Sequence, residues 1–447
     1  MVFVPATIAE FRYLDSRIDR STGVAEFDFA FVGGDNETFT ERVAFTLPET
    51  ADAIDWPRVD SALVLLGGVI ATSYYKAAAP NRFVVDAAGL TPAGRDYLAS
   101  VIANGLAEFA YRAGLPGLPA PELVVTTLAD EWTAAVEPQG EPLVPIGGGK
   151  DSVISVESLA AVGFSPVQFA VNPNVIIRRV AEVSGHPLVT AKRTLDRRLL
   201  ELNAEGALNG HVPVTAMNSL IAITQSLLLG LGPVAMSNES SASDPTLTWD
   251  GVAVNHQWSK SLDAERELIA VLEPQSGLVN AYFSLLRPFS ELRIARGFSL
   301  VTKYDASIVS CNRAFRLGAD HVGWCGDCDK CRFVFLAFSP FMSSERLSGI
   351  FGKNMFADES QIPGYRALLG LDAHKPFECV GEEAECSVAM SQASRLEQWA
   401  DTPVVAALLA EIPSLREGDP ALEATVFANS PAVALTSRYE DARHALA

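Results

Sequence analysis

The sequence predicts an α/β protein. A parallel sheet with helices on both faces is preceded by an α+β N-terminal domain with an antiparallel meander and followed by a mainly helical C-terminal region. Three observations carry this reading. Apolar residues alternate with a period of two near the N-terminus, as in VAEFDFAFVGGDNETFTERVAFTL. From about residue 142 the pattern becomes strand, glycine loop, helix, strand, which is a βαβ unit. Beyond residue 345 helical patterning dominates. The expected divisions are 1–140, 141–345 and 346–447.

In the first segment Phe27, Phe29 and Phe31 share one strand face, and Gly33-Gly34-Asp35-Asn36 supplies the turn to the next strand. Helices are expected over 60–76 and 92–113, the second opening with Thr91 as cap and Pro92 as first residue. PGLPAPEL (116–123) and EPQGEP (137–142) read as linkers. PLVPI (142–146) is a short buried strand, GGGKD its loop, SVISVESLAAVG a helix closed by Gly163, and PVQFAV the next strand. GPVAM (232–236) is a further strand running into a polar stretch. Thr402-Pro403 opens the helix VVAALLAEI. The chain contains no internal repeat and no low-complexity tract.

Composition narrows the function. At 447 residues, 49 % hydrophobic and 20 % charged, the chain has the balance of a multidomain globular protein. Its net charge of −20 disfavours nucleic acid and anionic membranes as partners. The first twenty residues lack the basic-then-apolar pattern of a signal peptide, and the longest apolar run, 62–72, is too short to span a bilayer. A cytoplasmic protein with a small-molecule substrate is expected; a homodimer stays open.

The loop in LVPIGGGKDSVIS invites three readings. A Walker A loop requires a hydroxyl residue after the lysine, but Asp151 follows Lys150, and Val144 stands where its first glycine belongs. A dinucleotide fingerprint requires a third glycine where Ser152 stands. What remains is Gly148-Gly149-Lys150-Asp151-Ser152 on a strand-to-helix turn. Glycines admit phosphate oxygens close to backbone amides, and a helix N-terminus adds positive partial charge. Lys150 contributes an ammonium, Ser152 a hydroxyl and Asp151 a magnesium ligand. The loop resembles the Ser-Gly-Gly-x-Asp-Ser loop of the PP-loop ATP pyrophosphatases, whose sheets are HUP-like. Gly147 stands where many of those proteins carry serine.

Cys311, Cys325, Cys328 and Cys331 are spaced Cys-x13-Cys-x2-Cys-x2-Cys, which suits tetrahedral zinc; an iron–sulfur cluster is the competing occupant. Four thiolates leave no open ligand position, so a structural role is expected. A similar knuckle follows the catalytic core in the deazapurine nitrile synthase branch of PP-loop enzymes, which favours zinc.

HVPVTAMNS (211–219), MSNESSAS (236–243), NHQWSKS (255–261), LLRPFSELRIAR (285–296) and HKPFECVGEE (374–383) are strongly polar for their surroundings. With the glycine loop and the knuckle, their order resembles the ATP-dependent UDP-N-acetylmuramoyl-L-alanyl-L-glutamate epimerase family from about Tyr74 to Glu383. The resemblance implies ATP-driven inversion of the terminal L-Glu of UDP-MurNAc-L-Ala-L-Glu in peptidoglycan synthesis. ATP, Mg2+ and structural Zn2+ are the implied cofactors. Gly147, Gly148, Gly149, Lys150, Asp151 and Ser152 are expected on the phosphates and magnesium, joined by Ser237, Asn238 and Glu239 at a strand end. Lys260, Arg287, Arg293 and Arg296 are candidates for anionic substrate groups. His256 shares a face with Lys260 if that stretch is helical. Cys379 and His374 are further candidates for proton transfer, with Glu378 nearby. The basic stretch Arg178, Arg179, Lys192, Arg193, Arg197 and Arg198 reads as a solvated face. Two rival functions remain, a PP-loop amide- or nitrile-forming ligase and an adenine-nucleotide sensor without catalysis.

Overall fold

A computed structural model of the chain describes residues 2–50, 53–117, 119–245, 247–249, 251–315, 322–371 and 380–446, with only the backbone of Val252. Among the described residues the architecture is a mixed α/β sheet of ten strands, with a separate small hairpin. The meander is β1 (Ile8–Ile18), β2 (Val24–Gly33) and β3 (Thr38–Ala44), and β4 (Arg82–Val85) and β5 (Glu122–Val125) lie beyond β1. On the other side stand β6 (Leu143–Pro145), β7 (Val167–Val171), β8 (Leu188–Thr194) and β9 (Val234–Met236). The hairpin is β10 (Leu247–Trp249) with β11 (Val252–Val254), and β12 (Tyr282–Ser284) closes one edge of the sheet. The order is β12-β9-β6-β7-β8-β3-β2-β1-β4-β5.

From β12 to β8 every pairing is parallel. The meander then joins through an antiparallel pairing of β3 with β8, Arg42 opposite Thr194 and Ala44 opposite Lys192. The sheet thus runs unbroken across the boundary expected at 140. Phe27, Phe29 and Phe31 are buried on the inner face as the alternation requires.

Two cores cover the sheet. One holds the meander, the helix Trp56–Tyr75 and the helix Val214–Leu229. The other holds the helices Lys150–Ala161, Glu291–Ser299 and Asp329–Phe338 with the C-terminal helices, including the fully buried Trp399. In β6, Leu143 belongs to the first core and Val144 to the second, so this short strand is apolar on both faces. The helix Trp56–Tyr75 lies close on the sheet because Gly67 has no side chain: a Cβ there would strike Tyr13 and Phe27. The helix expected over 92–113 is two, Pro92–Gly105 and Ala107–Ala113.

Chain order places the site. From β6 the chain moves through β7 and β8 on one side, then returns to lay β9 on the other. The sheet reverses its winding between β6 and β9, and in open α/β sheets a crevice opens there beyond the carboxyl ends of the strands.

Candidate active site

Both strands at this switch point end in polar loops. Gly147–Gly149 follows β6, and Ser237, Asn238 and Glu239 follow β9. Gly148 takes φ +83°, a backbone that favours glycine, and a Cβ on Gly149 would lie 2.7 Å from Ser310 Oγ. Gly147 faces open space, with nothing within 4 Å of a built Cβ. The 12-residue helix Lys150–Ala161 starts at Gly149, which offers no side-chain cap to its N–H groups. Ser152 Oγ donates to Gly149 O at 3.2 Å.

Lys150 is 2 % exposed and ion-paired with both Asp151 and Glu291. Burial pulls its ammonium below the ordinary lysine value, against the charges of Asp151 and Glu239. Burial pushes the Asp151 carboxyl up, but the charges of Lys150, Lys330 and Lys260 outweigh it and hold it below the usual carboxylate range. Ser237 Oγ donates to Ser155 Oγ at 2.7 Å, on the helix of the glycine loop. Asn238 Nδ2 donates to Ser284 Oγ at 3.0 Å, and Glu239 is buried. The two loops therefore form one polar wall.

Of the three arginines, Arg287 reaches that wall and Arg293 and Arg296 pack elsewhere. Arg287 is 1 % exposed and spends its N–H groups on Glu265 (2.7 Å), the Glu239 carbonyl (2.6 Å) and the Lys260 carbonyl (2.6 Å). It clamps two site loops together and lines a cavity with Ser290 and Glu385. Arg293 lies over the Phe289 ring at 4.1 Å and donates to Phe427 O and Asn429 Oδ1. Arg296 lies over Phe427 at 4.7 Å. Both sit on the face of their helix that packs against the C-terminal segment. In the basic stretch Arg193 pairs with buried Glu41, and Arg198 with Glu37 and Glu205.

His256 and Lys260 do not share an α-helical face, because Trp258–Lys260 is one turn of 3-10 helix. His256 instead meets Glu108, which sequence reasoning missed, and His211, the first residue of the polar stretch 211–219. Its Nδ1 is hydrogen-bonded to Glu108, and its ring lies 4.8 Å from that of His211. His211 Nδ1 is 3.5 Å from the same carboxylate. Burial pushes His211 down to about 4, so its imidazole is neutral near pH 7. Burial raises Glu108, but the His256 hydrogen bond, both imidazoles and Arg112 hold it below its ordinary value. Glu108 was legible in one respect: it is an acid inside the apolar run LAEFA. Asn255 Nδ2 donates to Ala242 O at 3.0 Å, which joins this cluster to the loop after β9. Cys379, His374 and Glu378 lie outside the described residues.

The four expected cysteines converge. Sγ of Cys311 is 4.0 Å from Cys328, Cys325 is 3.7 Å from Cys331, and Cys328 is 3.4 Å from Cys331, all four within 4.8 Å of one another. A tetrahedral ion with bonds of about 2.3 Å to sulfur sets its thiolates about 3.8 Å apart, which these positions fit. Glu108, His211 and His256 form a second group whose ligand atoms lie equally close.

Fold and site together define an α/β protein whose glycine loop, strand-end acids and four-thiol knuckle gather at one switch point. Family comparison agrees with that class and narrows it. The model described as the MurL N-terminal domain matches residues 2–285 and that of the MurL C-terminal domain matches 307–423; the chain belongs to the MurL family. Three relatives are each named UDP-N-acetyl-alpha-D-muramoyl-L-alanyl-L-glutamate epimerase. The protein from Salinispora tropica is 46 % identical, covering 97 % of this chain and 95 % of the relative. That from Micromonospora sp. is 49 % identical over 90 % and 91 %. That from Xanthomonas oryzae pv. oryzae is 39 % identical over 92 % of each. No solved structure matches the chain.

Proposed function

We propose that this protein inverts the terminal L-Glu of UDP-MurNAc-L-Ala-L-Glu to D-Glu, consuming ATP and releasing AMP and pyrophosphate, in peptidoglycan precursor synthesis. The names of its relatives support the epimerisation. One observation carries the ATP half: an uncapped helix N-terminus, buried Lys150 and two acids stand together at the sheet's switch point. In this reading the sheet is that of a PP-loop, HUP-like enzyme.

The chemistry gives ATP a purpose. The nitrogen of that glutamate is acylated, so a Schiff base with a carbonyl cofactor is closed to it. Its α-carboxylate is an anion, which makes loss of the α-proton very unfavourable. Attack of that carboxylate on the α-phosphorus of ATP expels pyrophosphate and leaves an acyl phosphate, whose carbonyl accepts the developing charge. The α-proton then leaves to a base, a proton returns on the opposite face, and water releases AMP. Gly148, Gly149, Lys150 and Ser152 hold phosphate oxygens, while Asp151 and Glu239 are the carboxylates for magnesium. Gly147 lies at the open mouth of the loop.

His256 is the described residue best built to move a proton. Glu108 holds its Nδ1 side and so orients the ring, and neutral His211 stands beside it. Cys379 and His374 remain proposed partners for the second face. Lys260, whose charge acts on both Asp151 and His211, links phosphate loop and imidazoles. Zinc suits the four thiolates better than an iron–sulfur cluster, whose irons and sulfides would hold them farther apart. Among the described residues no helix is long and apolar enough to cross a membrane. We place the enzyme in the cytoplasm, where reduced cysteines and nucleotide substrates coexist.

The deciding experiment incubates protein, MgATP and UDP-MurNAc-L-Ala-L-Glu in D2O, then measures glutamate chirality, α-deuterium, AMP and pyrophosphate. D-Glu carrying α-deuterium, with AMP formed alongside, is expected. AMP without inversion moves the activation to another carboxylate, and ammonia-dependent AMP release identifies an amide- or nitrile-forming ligase. Nucleotide binding with no AMP leaves a sensor.

A further inference from the structure

We infer that Lys330 is a second phosphate-binding cation of the glycine loop, and that the four-cysteine knuckle serves to deliver it. This rests on the ATP reading above and extends it to a residue the loop motif does not contain. Lys330 stands between Cys328 and Cys331, as the second residue of the helix Asp329–Phe338. Its Nζ lies 3.6 Å from Glu291 Oε1, while Lys150 is paired with Oε2 of the same carboxylate. The Lys330 side chain is 12 % exposed, over the Phe333 ring at 5.5 Å. Its charge acts on both Lys150 and Asp151.

The knuckle and the loop are also joined through backbone. Val309 N donates to the Gly148 carbonyl at 3.1 Å, and Ser310 fills the space that a side chain on Gly149 would need. Trp324, beside Cys325, donates from Nε1 to the Ile308 carbonyl at 2.9 Å. Residues 308–310 are therefore held by the loop on one side and the knuckle on the other, directly before Cys311. Lys150 and Lys330 share Glu291, with Asp151 and the charge of Glu239 also on Lys150, so acids hold the two ammoniums together at the loop. Two ammoniums beside an uncapped helix N-terminus suit an anion of more than one charge, such as a triphosphate. On binding, Lys150 and Lys330 turn from Glu291 to phosphate oxygens, and the knuckle fixes how far apart they stand.

The test is calorimetric titration of the whole protein with the magnesium complex of α,β-methylene-ATP, with bound metal quantified in each preparation. Four proteins are compared: wild type, Lys330→Gln, Lys330→Arg and Lys353→Gln. Lys353 lies against Gly326 of the knuckle and pairs with Asp358, so its variant makes the same charge change away from Glu291. Lys330→Gln should weaken binding roughly tenfold or more at unchanged metal content. Lys330→Arg should recover most of that loss, and Lys353→Gln should bind as wild type does. Equal affinity of Lys330→Gln and wild type overturns the assignment, as does an equal loss in Lys353→Gln. A wild-type protein that binds no nucleotide would instead remove the ATP reading itself.

Discussion

Glu385 illustrates how tertiary packing overrides local pattern at a single side chain. It is the third residue of the helix Glu383–Ser394 and closes a capping box with Glu382, a surface role by pattern. The structure buries it instead, beside a cavity of about 360 Å³ under the loop after β9. There it accepts from Glu382 N at 2.7 Å and Leu292 N at 3.3 Å. Burial pushes its carboxyl up to about 7, with Glu239 and Glu382 adding to the rise and the two backbone donors opposing it. Between its unfolded value and 7 the native state keeps a proton that the unfolded chain has released. Stability is therefore full below the unfolded value and falls as pH rises toward 7. A shift of this size corresponds to roughly 3 kcal/mol. In urea titrations at pH 5 and pH 8, wild type should lose up to about that much more stability than Glu385→Gln, which never ionises. Parallel curves for the two proteins would show that the carboxyl titrates normally.

At the scale of elements, what the sequence displayed was local and what it concealed was contact between distant segments. The glycine loop and the four cysteines were legible because their chemistry depends on spacing along the chain. What Arg287, Arg293 and Arg296 face was not legible, because a positive charge in a turn or on a helix says nothing of what packs against it. Arg287 is the instructive member. Helix Leu262–Ser276 contributes Glu265, the loop after β9 a carbonyl, and the turn Trp258–Lys260 another; one guanidinium fixes all three. Replacing it with methionine keeps an unbranched apolar stem but removes the charge partner of Glu265, which is 2 % exposed and among the described residues keeps only the Ser284 N–H. A cost of about 3–5 kcal/mol is expected from a buried carboxylate without its partner. Chemical denaturation of Arg287→Met measures it. Adding Glu265→Gln should restore part of the loss, since a neutral amide tolerates burial better than a lone carboxylate. A cost under about 1 kcal/mol for Arg287→Met would mean the clamp contributes little.

The whole molecule departs most from sequence expectation where the first 140 residues meet the rest. Linker-like PGLPAPEL and EPQGEP suggested a separable unit, because composition reports local chain character and not strand pairing. In the structure β3 pairs with β8, and the helix Val214–Leu229 packs in the same core as the meander. Glu108, from the helix Ala107–Ala113, supplies the carboxylate that holds His256 and faces His211. The N-terminal segment is thus part of both the sheet and the Glu108–His211–His256 cluster proposed to move protons. A fragment of residues 141–447 would expose the edge of β8 and one apolar face of the helix Val214–Leu229, a combination that favours aggregation. That fragment alone should be insoluble or lack a cooperative unfolding transition, and coexpression with residues 1–140 should restore a soluble complex. In that complex α-deuterium exchange should return, and Glu108→Gln in the smaller fragment should lower it at least about tenfold with little change in nucleotide affinity. If the larger fragment alone is soluble, folded and exchange-competent, the N-terminal segment is an appendage, and the base must be sought elsewhere along the cleft.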